Sequence, residues 1–139
     1  MIVIGDTVFI MSKFEIKIIP ISKGLFATQK IKRGEIISKI KGKIVPEIYS
    51  NGKKNKSRTA IELDKGNLLE PEYPWKEINH SCDPNCRFEG FNDKKGIILL
   101  RAVRKINKYE ELRIDYAWEK KDAIPCICGS KKCKGEIWQ

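Results

Sequence analysis

The chain has a single histidine, His80, and no run of the roughly 18 apolar residues that a membrane-spanning helix needs. A spanning helix is therefore excluded. No long stretch repeats its apolar residues at helical spacing, which excludes a helical bundle. The first eleven residues are apolar but carry Asp6, and they lack a basic leading segment and a small-residue cleavage site. They fit a first strand better than an export signal, and translation from Met11 instead of Met1 stays open. Without an export signal, the five cysteines read as intracellular thiols or metal ligands before disulfides. A lone histidine with no second one and no obvious carboxylate relay is the weakest candidate for a general base. Metal ligand and loop-stabilising residue stand ahead of that role.

What is present fits one globular domain. The 139 residues allow a modest core, and 41% hydrophobic with 33% charged residues places the chain well away from disorder. The net charge of +10 favours an anionic or acidic partner, or plain solubility, and carries no information on fold. Lysines cluster at Lys53-Lys54-Asn55-Lys56, Lys94-Lys95, Lys120-Lys121 and Lys131-Lys132. Solvated loops are the first reading of such runs, ahead of a nucleic-acid patch.

Many short strands between turns predict a mostly β domain. Phe14 to Pro20 reads as a strand, followed by a tight turn at Ser22-Lys23-Gly24. A second turn at Lys32-Arg33-Gly34-Glu35 leads into a strand through Ile36, Ile37 and Ile40 that Gly42 ends. Ile44-Val45 reads as a short further strand, residues 50–58 as an exposed loop, and Thr59 to Leu63 as another strand. Asp64-Lys65-Gly66-Asn67 is a strong turn, and a helical turn near Trp75 leads to Asn79. Arg87 to Phe91 and Gly96 to Val103 form a predicted hairpin. Glu111 to Tyr116 alternates, with Leu112, Ile114 and Tyr116 on one face. A faint echo links Ala27, Ile31 and Glu35 to Ala102, Ile106 and Glu110, which suggests two similar hairpins.

Two stretches can carry chemistry. Ile78-Asn79-His80-Ser81-Cys82-Asp83-Pro84-Asn85-Cys86 is rich in turn formers and holds the histidine and two cysteines. Asn, Ser and Asp hold such loops through side-chain to backbone bonds. The tail places Cys126, Cys128 and Cys133 within eight residues, with Gly129 letting the chain fold back. Tetrahedral zinc needs four ligands, so a fourth must come from elsewhere; Cys82 or Cys86 could supply it, which would pin the tail onto the Asn79 loop. Such a site is structural by default.

Taken in order, Ser-Lys-Gly-Leu-Phe-Ala at 22–27, Asn-His-Ser-Cys-Asp-Pro-Asn at 79–85, Glu-Leu-Arg-Ile-Asp-Tyr at 111–116 and Cys-x-Cys-x4-Cys at 126–133 resemble the SET domain protein-lysine methyltransferases with a post-SET tail. The resemblance implies a SET-domain-like β-clip fold of small twisted sheets. The Asp-Tyr segment would pass beneath the Asn-His-Ser loop in a pseudoknot, which departs from the usual unthreaded topology. It divides the chain into a SET domain over 14–118 with an extension over 1–13, and a post-SET tail over 119–139. S-adenosylmethionine would be bound by main-chain groups of Ser22, Lys23, Gly24 and Leu25, by Asn79 and His80, and beside Tyr116, with Trp138 covering the adenine. Tyr116 would be the catalytic residue. Cys82, Cys126, Cys128 and Cys133 would hold zinc, leaving Cys86 spare. The implied partner is a lysine-bearing protein, a histone or nucleoid protein among the candidates, in an intracellular setting that is cytoplasmic, nucleoid-associated or nuclear.

The sequence departs from that pattern at Ser22 and Tyr109, where glycine is usual. It departs again at Ala60, near a tyrosine that commonly lines the lysine channel. Ile114 stands where Phe or Tyr often tunes the number of methyls added, and an Ile cannot hold a water there. Transfer beyond the monomethyl state is expected. A reading from another class is a non-catalytic zinc module that binds nucleic acid or protein through its basic loops. Oligomeric state is not legible.

Overall fold

The computed structural model describes residues 2–4, 7–9, 13–19 and 22–137. Among them run thirteen short strands, in the order β1 (Ile2–Ile4), β2 (Thr7–Phe9), β3 (Phe14–Ile19), β4 (Ser22–Ala27), β5 (Ile36–Pro46), β6 (Ile61–Glu62), β7 (Asn67–Pro71), β8 (Asn79–His80), β9 (Cys86–Asn92), β10 (Ile97–Ala102), β11 (Glu111–Ile114), β12 (Ile124–Pro125) and β13 (Glu136–Ile137). Among the described residues, helical structure is limited to single 3-10 turns such as Trp75–Glu77. The first segment is a hairpin of β1 and β2 rather than one strand.

Two sheets make the body of the domain. One has the order β6-β7-β5-β10-β9, the other β3-β4-β11-β8. Leu25, Ile31, Ile40, Leu69, Leu100, Ile106 and Leu112 are fully buried. Each such side chain contributes about 1.5–3 kcal/mol of burial free energy. The hairpin predicted from Arg87 to Phe91 and Gly96 to Val103 is present as β9 and β10, with ends shifted by a residue and joined through a 3-10 turn at Asp93–Lys95.

Other local expectations differ from the structure as well, and Ile44-Val45 belongs to β5 instead of a further strand. Ser22-Lys23-Gly24 is not a turn but the first half of β4, which pairs along β3 from Ile19↔Ser22 to Phe14↔Ala27. Gly42 does not end a strand either. β5 pairs with β10 up to Lys41 and with β7 from Gly42 onward. A Cβ at Gly42 would collide with the Glu70 carbonyl, so glycine lets two backbones close where the strand changes partners. The strand expected over 59–63 shrinks to two residues, because Ser57 and Thr59 bond Glu70 through their side chains instead of joining a ladder.

The sequence echo has a structural meaning. Ala27 N–H donates to Glu110 and Tyr109 N–H to Ala27, while Ala102 N–H donates to Glu35 and Gly34 N–H to Ala102. Ile31 and Ile106 exchange both of their N–H···O bonds, each 2.9 Å, at the centre. Two turns thus interlock with approximate two-fold symmetry. The equivalence places Tyr109 at the counterpart of Gly34, and both adopt positive φ, 75° and 81°. Tyr109 keeps the turn at the cost of left-handed strain, which for a residue with a Cβ is about 1–2 kcal/mol. Tyr109→Gly relieves it but adds unfolded-state freedom. We expect a net gain of about 0.5 kcal/mol, read as a higher urea midpoint with an unchanged slope.

Candidate active site and metal centre

The centre of the site is β11, gripped on both sides. Leu112 pairs with Leu25 of β4 on one edge, and Arg113 and Ile114 run parallel to Asn79 and His80 of β8 on the other. Ser81 N–H continues that pairing onto the Ile114 carbonyl at 2.9 Å. Asn85 closes the grip. Its amide donates to the Glu111 carbonyl at 2.8 Å and its oxygen accepts from Arg113 N–H at 2.9 Å. The 79–85 loop is therefore laced to β11 through main chain and side chain, which is the crossing that the resemblance implies.

β11 stops at Ile114, so Tyr116 lies just beyond the strand that the alternation predicted. Its main-chain N–H donates to His80 Nδ1 at 3.0 Å, and its hydroxyl donates to the Ile78 carbonyl at 2.6 Å. The ring stacks at a tilt against His80 and Trp118, with centroids 5.3 and 5.2 Å away. Burial, with Glu111 and Glu77 adding to it, pushes the phenol up to about 12. Tyr116 is thus a neutral hydroxyl at any physiological pH, suited to orienting a group rather than to taking its proton.

His80 is buried, and both ring nitrogens are engaged. Nδ1 accepts from Tyr116, and Nε2 lies 3.4 Å from Cys82 Sγ. Desolvation holds its pKa below the ordinary value, against the opposing pull of Asp115. The neutral form with its proton on Nε2 satisfies both contacts. Of the three roles left open by the sequence, this geometry is that of the loop-stabilising residue.

Asn79 donates to the Lys23 carbonyl and to Glu111 Oε2, both at 2.8 Å, and so ties β4 to β11. Gly24 sits in the same corner, where a Cβ would lie 3.0 Å from Glu111 Oε2 and from the Phe26 ring. Leu25 is fully buried in the core, so only its main chain can serve a ligand. Lys23, Gly24, Asn79, His80 and Tyr116 are therefore gathered around β11. Ser22 starts β4 opposite Ile19 of β3, and its strand pairing joins it to none of these groups; Trp138 lies outside the described residues.

Sequence reasoning passed over Glu111, Asn85, Arg113 and Trp118 as site residues. The first three sit inside the quoted strings, and that position was their only signal. Arg113 bonds Glu111 at 2.9 Å and the Cys128 carbonyl at 2.7 Å, linking β11 to the tail.

The sulfurs of Cys82, Cys126, Cys128 and Cys133 all lie within 4.8 Å of one another, with Cys82 and Cys126 3.8 Å apart. A zinc tetrahedron with bonds of about 2.3 Å has edges of about 3.8 Å, so the donor set fits a four-thiolate ion. Main-chain N–H groups of Lys134 and Gly135 point at Cys82 and Cys133, each at 3.4 Å. Against desolvation, hydrogen bonds from the Cys82 and Ser130 main chain help draw Cys128 down to about 6, whereas desolvation pushes Cys126 up to about 12. Metal binding requires these ligands as thiolates, so it would be coupled to proton release. Cys86 is buried in the core instead, and desolvation pushes it up to about 12. Its place at the start of β9 settles which of the two loop cysteines faces the tail.

Beside Tyr116 opens a groove of about 1440 Å³, floored by Ile78, Ile114 and Tyr116 and walled by the 54–63 segment and by Trp118, Glu119, Lys121 and Asp122. Ala60 lines it, and the Arg58 guanidinium lies 5.0 Å over the Trp118 ring. The wall is held by Glu70, whose carboxylate accepts from the Ser57 hydroxyl at 2.6 Å and the Thr59 hydroxyl and pairs with Lys76 at 3.2 Å. Against partial desolvation these donors keep its carboxyl below the usual range. Glu70→Ala should free the wall without unfolding the sheets. Charge-assisted bonds of this kind contribute about 1.5–3 kcal/mol each, so trypsin cleavage at Lys53 to Arg58 should accelerate about tenfold or more.

Comparison with known proteins places this geometry. The family model described as the SET domain matches residues 22–117. The histone-lysine N-methyltransferase, H3 lysine-4 specific, of Schizosaccharomyces pombe is 34% identical over 136 residues, covering 82% of this chain and 14% of that protein. The histone-lysine N-methyltransferase trr of Drosophila melanogaster is 32% identical over 124 residues, covering 80% of this chain and 5% of that protein. The chain thus spans a seventh or less of the length of these relatives. Among solved structures, KRYPTONITE in complex with mCHG DNA and SAH superposes with a TM-score of 0.71 at 16% identity, covering 91% of this chain and 30% of that one. A Plasmodium falciparum crystal structure superposes at 0.62 with 24% identity, covering 81% of this chain and all of that one. These likenesses are of fold.

Proposed function

The chain belongs to the SET domain family, and from that premise we propose that it transfers methyl groups from S-adenosylmethionine to the side-chain amine of lysine in a protein, with a histone or other chromatin protein as the substrate class. The observation that carries this reading is the placement of the Tyr116 hydroxyl. It lies at the floor of a groove, beside the corner where β4, Asn79 and His80 meet.

The main chain of Ser22 to Leu25, with Asn79 and His80, would hold the donor, and Trp138 would cover its adenine. The donor supplies an electrophilic methyl group. The Glu111 carboxylate is already paired with Arg113 and accepts from Asn79, so its part is to hold Asn79 in that corner. The remaining chemistry falls to the chain's own residues. A free lysine has a pKa of about 10.4 and is mostly a non-nucleophilic ammonium at neutral pH. The apolar floor of Ile78 and Ile114 disfavours the charged form, so the amine sheds its proton to solvent without a strong base. Tyr116 and neighbouring carbonyls orient the amine and exclude water, and much of the rate comes from holding two reactants in line. Four thiolates, from Cys82, Cys126, Cys128 and Cys133, would bind a structural zinc that fixes the tail over the site. An intracellular place of action follows from this substrate class.

Labelled methyl transfer to a panel of lysine-rich proteins tests the reading. Incorporation that depends on Tyr116 supports it. No transfer to any of them, with tight salt-sensitive nucleic-acid binding instead, would favour the non-catalytic zinc module. Ile114 is buried on the groove floor and offers no hydroxyl to a water. Mass spectrometry of the product should therefore reveal dimethyl- or trimethyl-lysine, and monomethyl-lysine alone would contradict this.

A further inference from the structure

The excess positive charge is not spread evenly. Six basic and six acidic side chains line the groove, so the groove is balanced and the surplus of ten charges lies elsewhere. Much of it collects on the interlocked turns. The Ile31–Ile106 bridge sets Lys30, Lys32 and Arg33 of one turn against Arg104, Lys105 and Lys108 of the other, and all six are exposed. Two carboxylates stand among them, and both are already paired: Glu35 with Lys13 at 2.7 Å and Glu110 with Arg104 at 3.4 Å. Among the described residues Lys30, Lys32, Arg33, Lys105 and Lys108 have no carboxylate within ion-pair distance. Arg104 continues the face into a shallow basin of about 430 Å³, where Lys131 and Lys132 of the metal-binding tail and the hydroxyl residues Ser81 and Ser130 face one carboxylate, Asp83.

We propose that the paired turns, continued by the Lys131–Lys132 knuckle, form a docking face for the phosphate backbone of duplex DNA. Unpaired cations crowded this closely repel one another and are relieved by a polyanion of matching charge density. Duplex DNA carries one charge per about 1.7 Å of axis. A protein partner would call for a cluster of apolar anchors at the centre of the face, where these turns offer a single aromatic. A single-strand site would need a groove with several stacking aromatics, and these turns expose one, Tyr109. The buried Ile31 and Ile106 fix both turns rigidly, so the cations are preorganised. The face shares no residue with the lysine groove, so binding does not depend on the methyl-transfer reading.

The test is fluorescence anisotropy with a labelled mixed-sequence duplex of about 24 base pairs between about 50 and 200 mM salt. The variant K32Q/R33Q/K105Q/K108Q is compared with K41Q/K43Q/K53Q/K94Q, which removes equal charge from exposed sites elsewhere. The wild type should bind with a steep salt dependence. The turn variant should lose at least about tenfold in affinity and flatten the log–log slope by about three, while the control loses less than about threefold. K32R/K105R/K108R should bind like the wild type, which separates charge from misfolding. Equal losses in the turn variant and the control overturn the proposal. So does no duplex binding at the lowest salt, or tighter binding of polyglutamate or single-stranded RNA than of the duplex.

Discussion

Tyr116→Phe should lower the rate of methyl transfer by about 100-fold or more while leaving the fold and the metal in place. The substitution removes one oxygen. It keeps the ring against His80 and Trp118 and keeps the main-chain N–H bond to His80. What is lost is the hydroxyl 2.6 Å from the Ile78 carbonyl, the group that fixes where an amine can sit. The loss should fall on kcat more than on KM, since a misplaced amine still binds. Stability should drop by only about 1 kcal/mol, the net value of one hydrogen bond. The pH dependence separates orientation from base catalysis. The phenol stays protonated until about pH 12, so the rate of the wild type should climb with pH toward the lysine range with no inflection owed to Tyr116. The folded pKa lies above the ordinary value of 10.0, so the fold keeps a proton that the unfolded chain gives up. The stability tied to this group is full below about pH 10 and is lost as pH rises toward 12. A Phe variant that retains a tenth or more of the rate would remove Tyr116 from the centre of the mechanism.

Stripping the metal, or replacing Cys126 by Ser, should abolish transfer while leaving the two main sheets folded. The tail from 119 onward buries little, and among its described residues only Ile137 is in the buried class. A segment with so little apolar burial cannot offset its own ordering entropy, so the zinc proposed for the four-cysteine cluster would supply its structure. Structural zinc supplies about 10–16 kcal/mol of apparent binding free energy, ample for a tail of this size. We expect a chelator to release one equivalent of zinc, to expose Lys131, Lys132 and Lys134 to trypsin, and to leave the cooperative melting of the β core nearly unchanged. Cys86→Ser provides the contrast. Cys86 is buried and donates to Asn85 Oδ1 at 3.2 Å, so its loss should destabilise the core by about 1–3 kcal/mol while the zinc stoichiometry stays at one. A tail that resists trypsin after chelation, or a Cys86 variant that loses its metal, would show the ligand assignment to be wrong.

The hairpin of Arg87 to Phe91 and Gly96 to Val103 was legible because its second strand is an apolar run, Phe88 and Phe91 mark the first, and the intervening Asn92 to Lys95 are turn formers. The interlocked turns left a trace in the matching spacing of Ala, Ile and Glu, although nothing in that spacing says that the two copies bond each other. Gly42 misled because a lone glycine usually marks an end. Here it marks a backbone approach from β7, 29 residues away in the chain at Pro71. Thr59 alternates like a strand residue but spends its hydroxyl on Glu70.

Local chemistry alone determined the mostly β character, the turn-rich histidine loop and a cysteine tail one ligand short of a metal site, because periodicity, turn formers and ligand counts act over a few residues. The tertiary structure decided the rest. Cys82 rather than Cys86 meets the tail, both nitrogens of His80 are spent on holding the loop, and Tyr116 comes within 2.6 Å of Ile78. Apart from the short His80–Cys82 contact, these pairings join residues 36 or more positions apart. Whether such partners meet is set by strand register and core packing, which no short window of sequence contains.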